Sequence, residues 1–195
     1  WTLWQNKRGG FEIMSILEVV NYGDPILRKK CQPVSDFSKI PSFVEDMFDT
    51  MYEEEGIGLA ANQVGVDMNL FIIDIAHTDE KEFPRIFING EITKSYGESV
   101  FSEGCLSIPQ VALEVTRPEK IRFKYQDMKK QWYEEEFDGL LARAIQHEMD
   151  HLNGVLIIDL VSEMQRAKVQ REVNKIKNES MSRIQRTSGK KRFVL

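Results

Sequence analysis

The chain has 195 residues, of which 42% are hydrophobic and 29% charged, and its net charge is −5. That length suits one globular domain, which buries roughly 70% of the surface its unfolded form exposes, so no disulfide or metal staple is needed to hold a core and a metal site would point to function. The longest apolar runs, such as Leu70–Ile73 and Val155–Ile158, are strand-sized, which excludes a transmembrane helix of about 20 apolar residues.

The two cysteines, Cys31 and Cys105, are too few for a disulfide framework and too far apart for a redox pair, which fits a reducing compartment. Charge is unevenly spread. Residues 165–195 carry ten Lys or Arg against two Glu, a balance of +8, while residues 1–164 carry −13.

In chain order, Trp1–Ile13 precede Met14-Ser15-Ile16-Leu17, which looks like a natural start. The segment has neither the apolar core nor the cleavage site of a secretory signal and is read as an added extension, with a remnant of an organelle transit peptide as the alternative. Ser42 and Glu45 form a capping box, and Val44, Met47, Phe48 and Met51 recur at helical spacing, so a helix is predicted to end near Glu55 with Gly56 as its left-handed stop. Leu70–Ile75 reads as a strand. Ile121, Phe123 and Tyr125 alternate with Arg122 and Lys124, and Trp132–Phe137 follows a turn at 127–130, which predicts an antiparallel meander. Asp138 offers an N-cap to a helix over 140–152 that is apolar on most sides, and so buried, before Asn153-Gly154 stops it. Ser162 and Gln165 cap a last helix running through Val169, Val173 and Ile176 towards Met181.

The buried helix carries His147-Glu148-Met149-Asp150-His151. Imidazoles four residues apart share one helix face about one turn apart and can reach a single metal ion. Glu148 is turned about 100° from His147 and about 60° from His151, so it flanks such a metal without binding it, the place of a general base. A catalytic centre of this type needs a third protein ligand. Ile157 stands where the metzincin pattern would put a histidine, which excludes that family. Two candidates remain: Glu172 downstream, as in an endopeptidase, and Cys105 within Phe101-Ser102-Glu103-Gly104-Cys105-Leu106-Ser107-Ile108-Pro109.

Three segments, Gly56-Ile57-Gly58-Leu59-Ala60-Ala61-Asn62-Gln63, Glu103-Gly104-Cys105-Leu106-Ser107 and Gln146-His147-Glu148-Met149-Asp150-His151-Leu152, resemble in order the signature motifs of bacterial peptide deformylases. The resemblance runs from about Leu17 to Val161. Asn62 departs from it, since the family usually has Pro there. The resemblance implies Cys105, His147 and His151 as metal ligands, Glu148 as the acid/base, and Gln63 with the Leu106 backbone N–H as holders of the substrate carbonyl. It implies one divalent cation, Fe(II) first, with zinc, nickel or cobalt as alternatives. The implied reaction is hydrolytic removal of the formyl group from N-formylmethionyl nascent polypeptides, releasing formate.

A methionine pocket follows partly from helix arithmetic: Leu140 and Ala144 continue the stripe of His147 and His151, so apolar surface leads up to the metal, the alternative being that both are plain core. Ile57 and Gly58 resemble the family's opposite wall. The fold expected is α+β, with antiparallel sheets packed around the central metal-binding helix and a C-terminal helix. Residues 1–13 are the extension, 14–164 the catalytic domain and 165–195 a basic helix and tail. That tail suits either an amphipathic terminal helix with a frayed basic end or a surface for ribosomal RNA, which makes the ribosome a candidate partner, while DNA and membrane are not expected. The compartment expected is the bacterial cytoplasm, with an organelle form as the alternative. The competing functions are the endopeptidase using Glu172 and a non-catalytic RNA-binding module. His77 is expected as an exposed loop residue and Cys31 as a free structural thiol.

Overall fold

In the computed structural model, which describes residues 16–78 and 81–188, antiparallel strands form two sheets around a central helix. The expected extension at 1–13 and the end of the tail lie outside the described residues. The larger sheet has five strands: β1 (Gly58–Ala60), β2 (Leu70–Ile73), β3 (Arg85–Tyr96), β6 (Lys120–Gln126) and β7 (Trp132–Asp138), hydrogen-bonded in that order. β4 (Ser99–Gly104) and β5 (Ala112–Arg117) make a separate two-stranded sheet. The helices are α1 (Ile40–Glu53), α2 (Gly139–Leu152) and α3 (Glu163–Ser188).

Successive residues of β2 face opposite sides of the sheet, and both sides are covered. Phe71 and Ile73 pack with Leu141, Ala142, Ile145 and Met149 of α2. Leu70 and Ile72 pack with Val44, Met47 and Met51 of α1. A third cluster joins Leu113 and Val115 of β5 to Leu156–Ile158 and to Val173 and Ile176 of α3. The metal-motif helix is therefore held by the large sheet on one side and meets the small sheet near its site.

Three local expectations are corrected. The capping box of Ser42 and Glu45 does not form: α1 starts earlier, with Pro41 in its first turn, and the Ser42 hydroxyl donates to the Lys39 carbonyl at 3.2 Å. Proline supplies a helical φ at a position whose N–H has no helical partner, so it outcompetes the serine as a start signal. The left-handed residue ending α1 is Glu55, φ 55°, not Gly56. Gly56 is instead a point of close approach, where a β-carbon would stand 2.9 Å from Leu106 Cδ1. Asp138 precedes α2 without a side-chain cap bond. At α3 the capping pair is formed: Gln165 N–H meets Ser162 Oγ and Ser162 N–H meets Gln165 Oε1, each at 3.3 Å. Among the described residues no helix is long and apolar enough to cross a membrane.

Candidate active site and metal centre

Helix α2 delivers His147 and His151 from one face, their ring centroids 5.1 Å apart. The turn that leaves β4 delivers Cys105, whose Sγ lies 3.2 Å from His151 Nε2. One ligand atom from each of the three falls within 4.8 Å of the others, so they can share a cation. Tetrahedral thiolate and imidazole ligands of one zinc-like ion stand about 3.6 Å apart, close to the spacing found. Glu172, the other candidate ligand, is exposed on α3 and outside this cluster.

The donor set fits a cation electrostatically as well. Burial opposes charge on His147, but hydrogen bonds to Cys105 and Glu103 outweigh it and hold its pKa well above the usual histidine value. The pocket thus draws positive charge to this ring. His147 Nδ1 lies 3.1 Å from Glu103 Oε2, which fixes the ring and frees Nε2 for a metal. Burial, then the neighbouring His147, keeps His151 well below its usual pKa, neutral and able to lend a lone pair.

Glu148 is 4% exposed, and burial raises its pKa to about 7. Its Oε2 has no hydrogen-bond partner among the described residues. A carboxylate poised near neutrality, with an unused acceptor, is able to take and return a proton. Gln63 is 1% exposed and its carboxamide orientation is set: Oε1 accepts from Ala60 N–H at 2.8 Å, while Nε2 points to Ser107 Oγ at 3.3 Å and Cys105 Sγ at 3.9 Å. Among the described residues the Leu106 N–H meets no acceptor.

These groups open on a cavity of about 870 Å³. Ile57, Gly58, Leu140, Ala144, His147 and Glu148 line it, so the two expected walls do face one space. β1 is an edge strand, and its register leaves Gly58 free: Ile57 O accepts from Asp74 N–H at 2.9 Å, so the alternating ladder turns the Gly58 N–H and C=O away from β2. His77 is exposed and Cys31 is buried, both apart from the cluster.

The sequence reading missed the ionic support beneath the site. Glu103, 7% exposed, accepts from Arg117 Nε at 2.7 Å and Arg143 at 2.5 Å, in addition to its contact with His147. Arg117 also reaches Asp150 at 2.7 Å. Burial pushes the Glu103 carboxyl up, but hydrogen bonds from His147 and Arg117 bring it down to about 2. One signal existed: Arg117 continues the inward phase of Leu113 and Val115 on β5, where an arginine needs a buried partner. Arg143, inside an apolar helix face, was a second. Asn62, where the family usually has Pro, donates from Nδ2 to the His151 carbonyl at 2.6 Å, tying the first motif to α2.

A sequence profile described as polypeptide deformylase matches residues 16–167. The peptide deformylase of Afipia carboxidovorans is 44% identical over 164 residues, covering 83% of this chain and 96% of the relative. That of Brucella suis is 42% identical, covering 87% and 98%. Among solved structures, a peptide deformylase from Legionella pneumophila superposes with a TM-score of 0.76 at 41% identity over 85% of this chain and 98% of its own. The Thermus thermophilus enzyme gives 0.79 at 37% identity over 84% and 99%. Profile, relatives and architecture agree, and the chain belongs to the peptide deformylase family.

Proposed function

We propose that this chain removes the formyl group from N-formylmethionyl polypeptides using Cys105, His147 and His151 as ligands of one divalent cation. Glu148 is the acid/base, and Gln63 with the Leu106 N–H is the carbonyl-binding pair. The observation behind this reading is the convergence of a thiol, two imidazoles, a buried carboxyl of raised pKa and a directed carboxamide on one cavity. When bound, the cation supplies a Lewis acid that lets water react near neutral pH.

The chain's own groups do the rest. Glu148 takes a proton from the attacking water, a C–O bond forms at the formyl carbon, and the carbonyl oxygen gains charge. Gln63 Nε2 and the Leu106 N–H donate to that oxygen as the charge develops. The C–N bond then breaks, and Glu148 returns the proton to the departing amine, leaving formate and a free N-terminus. Leu140, Ala144 and Ile57 receive the methionine side chain, and the outward backbone of Gly58 pairs with the extended substrate.

The cation is Fe(II) in this reading, with zinc, nickel or cobalt able to replace it, since thiolate and imidazole suit all four. The catalytic unit runs from residue 14 to 164, and the basic helix and tail of residues 165–195 contact ribosomal RNA. The setting is the bacterial cytoplasm, with an organelle as the alternative. Formate release from a formyl-methionyl tripeptide tests the reaction. Gln63→Ala is expected to lose about 10²- to 10³-fold in turnover while keeping its metal. Cys105→Ser is expected to lose the metal; a variant that keeps both metal and rate would sink the ligand assignment. Deleting the residues after Met164 is expected to abolish salt-sensitive ribosome co-sedimentation, and equal pelleting would remove the docking role.

A further inference from the structure

The main chain of Gln63 is held from behind by a segment that none of the motifs includes. Leu17–Tyr22 belongs to no strand, yet it is tied down along its length. Leu17 N–H donates to Thr50 Oγ1 at 2.9 Å. Val20 N–H donates to the Gln63 carbonyl, and Tyr22 N–H to the Ser107 carbonyl, both at 2.8 Å. Between them, the Asn21 carbonyl points the other way and accepts from Ser180 Oγ of α3 at 3.2 Å.

This alternation makes the segment a bridge one backbone thick, with α3 on one side and the first two motifs on the other. Ser180 is 7% exposed, a polar side chain buried on its helix to reach this carbonyl. Gly23 lets the chain lie flat on α3: at φ +109°, a β-carbon there would stand 3.0 Å from the Lys177 carbonyl. Arg183 of α3 adds an ion pair to Glu18 at 2.8 Å.

We propose that Val20 and Tyr22 are positioning residues for deformylation, because their N–H groups set the distance between the Gln63 loop and the Leu106–Ser107 turn. The proposal rests on the reading of Gln63 as a donor to the substrate carbonyl. Gln63 and Leu106 belong to segments far apart in sequence, so bringing their two donors to one oxygen calls for ties between the loops, and the Val20–Tyr22 bridge is one that comes from outside both. Two N–H groups two residues apart, about 7 Å along an extended chain, act as that gauge. The Gln63 Nε2 contact to Ser107 Oγ closes the same loop from the front. Helix α3 thereby supports the reaction it does not touch, by holding the carbonyl between the two donors.

The test is a pair of double-mutant cycles in the metal-loaded, full-length enzyme. Val20→Pro deletes one gauging N–H. It is expected to lower kcat about 10-fold, since misplacement of a reacting group by a fraction of an ångström to 1 Å costs up to about 10². KM and metal content are expected to stay within about twofold of the parent. Ser180→Ala, which leaves the segment's backbone intact, is expected to lower kcat about threefold and decides the matter where Val20→Pro does not fold. Each variant is then combined with Gln63→Ala. A positioning role acting through Gln63 leaves little further loss in that background, about twofold or less. Parental kcat in either folded variant, or an undiminished loss on top of Gln63→Ala, would overturn the proposal. Parental turnover by Gln63→Ala alone would overturn the reading of Gln63 beneath it.

Discussion

Gly58 lies against Glu148 so closely that a β-carbon added to it would stand 2.5 Å from Oε1. The glycine at this edge is thus a steric requirement of the Glu148 carboxyl. Gly58→Ala must displace either the carboxyl or β1. Turnover is expected to fall about 10²-fold with metal content unchanged, measured by formate release and metal analysis. Parental kcat in this variant would mean that the carboxyl has room to spare.

Ala144 faces the cavity one turn before His147 and is 5% exposed. Ala144→Trp fills the space read as the methionine pocket. The Michaelis constant for formyl-methionyl peptides is expected to rise about 10-fold or more, with the metal retained. Unchanged kinetics would place the methionine side chain elsewhere.

The two thiols differ in setting. Burial, with help from Asp67, pushes the Cys31 thiol up to about 11, so at about pH 8 almost none of it is the reactive thiolate. Cys105 is half-buried at the wall of the cavity. Iodoacetamide is expected to label Cys105 and spare Cys31 in metal-free protein, and metal loading is expected to protect Cys105. Peptide mapping by mass spectrometry reads the result, and rapid labelling of Cys31 in folded protein would contradict its placement.

Glu103 gives the fold a pH dependence of predictable sign. Its carboxyl is depressed to about 2 when folded, against about 4.3 in an unfolded chain. Such a group adds its full stability above the unfolded value and loses it as the pH falls towards 2, on the order of 3 kcal/mol in all. Metal-free Glu103→Gln is therefore expected to melt below the parent at about pH 7, the gap narrowing as the pH is lowered through about 4 to 3. A gap that does not change across that range would show that the carboxylate charge is not what Arg117, Arg143 and His147 require.

The site was legible where chemistry follows local periodicity. Histidines four apart on an apolar helix can be placed without a structure, and so can the stripe from Leu140 to His151. The meander of β6 and β7 was legible from the alternation of Ile121, Phe123 and Tyr125, which are buried in the large sheet. β4 was not, because most of its residues are exposed and no alternation marks it. β3 was missed for a related reason: only its first half is buried, and a register shift after Ile88 breaks the pattern. The cluster of Glu103, Arg117 and Arg143 joins two strands and a helix, and sequence spacing carries no record of such meetings. The same holds for Val20 and Tyr22, whose contribution is backbone N–H groups that every residue but proline possesses.

The outward-facing peptide groups of Gly58 offer only what all polypeptides share. In the reading proposed, with the substrate paired to these main-chain atoms, the enzyme is indifferent to most of what distinguishes one newly made protein from the next. On that proposal selectivity is concentrated at the first residue, and one catalyst serves chains of many sequences.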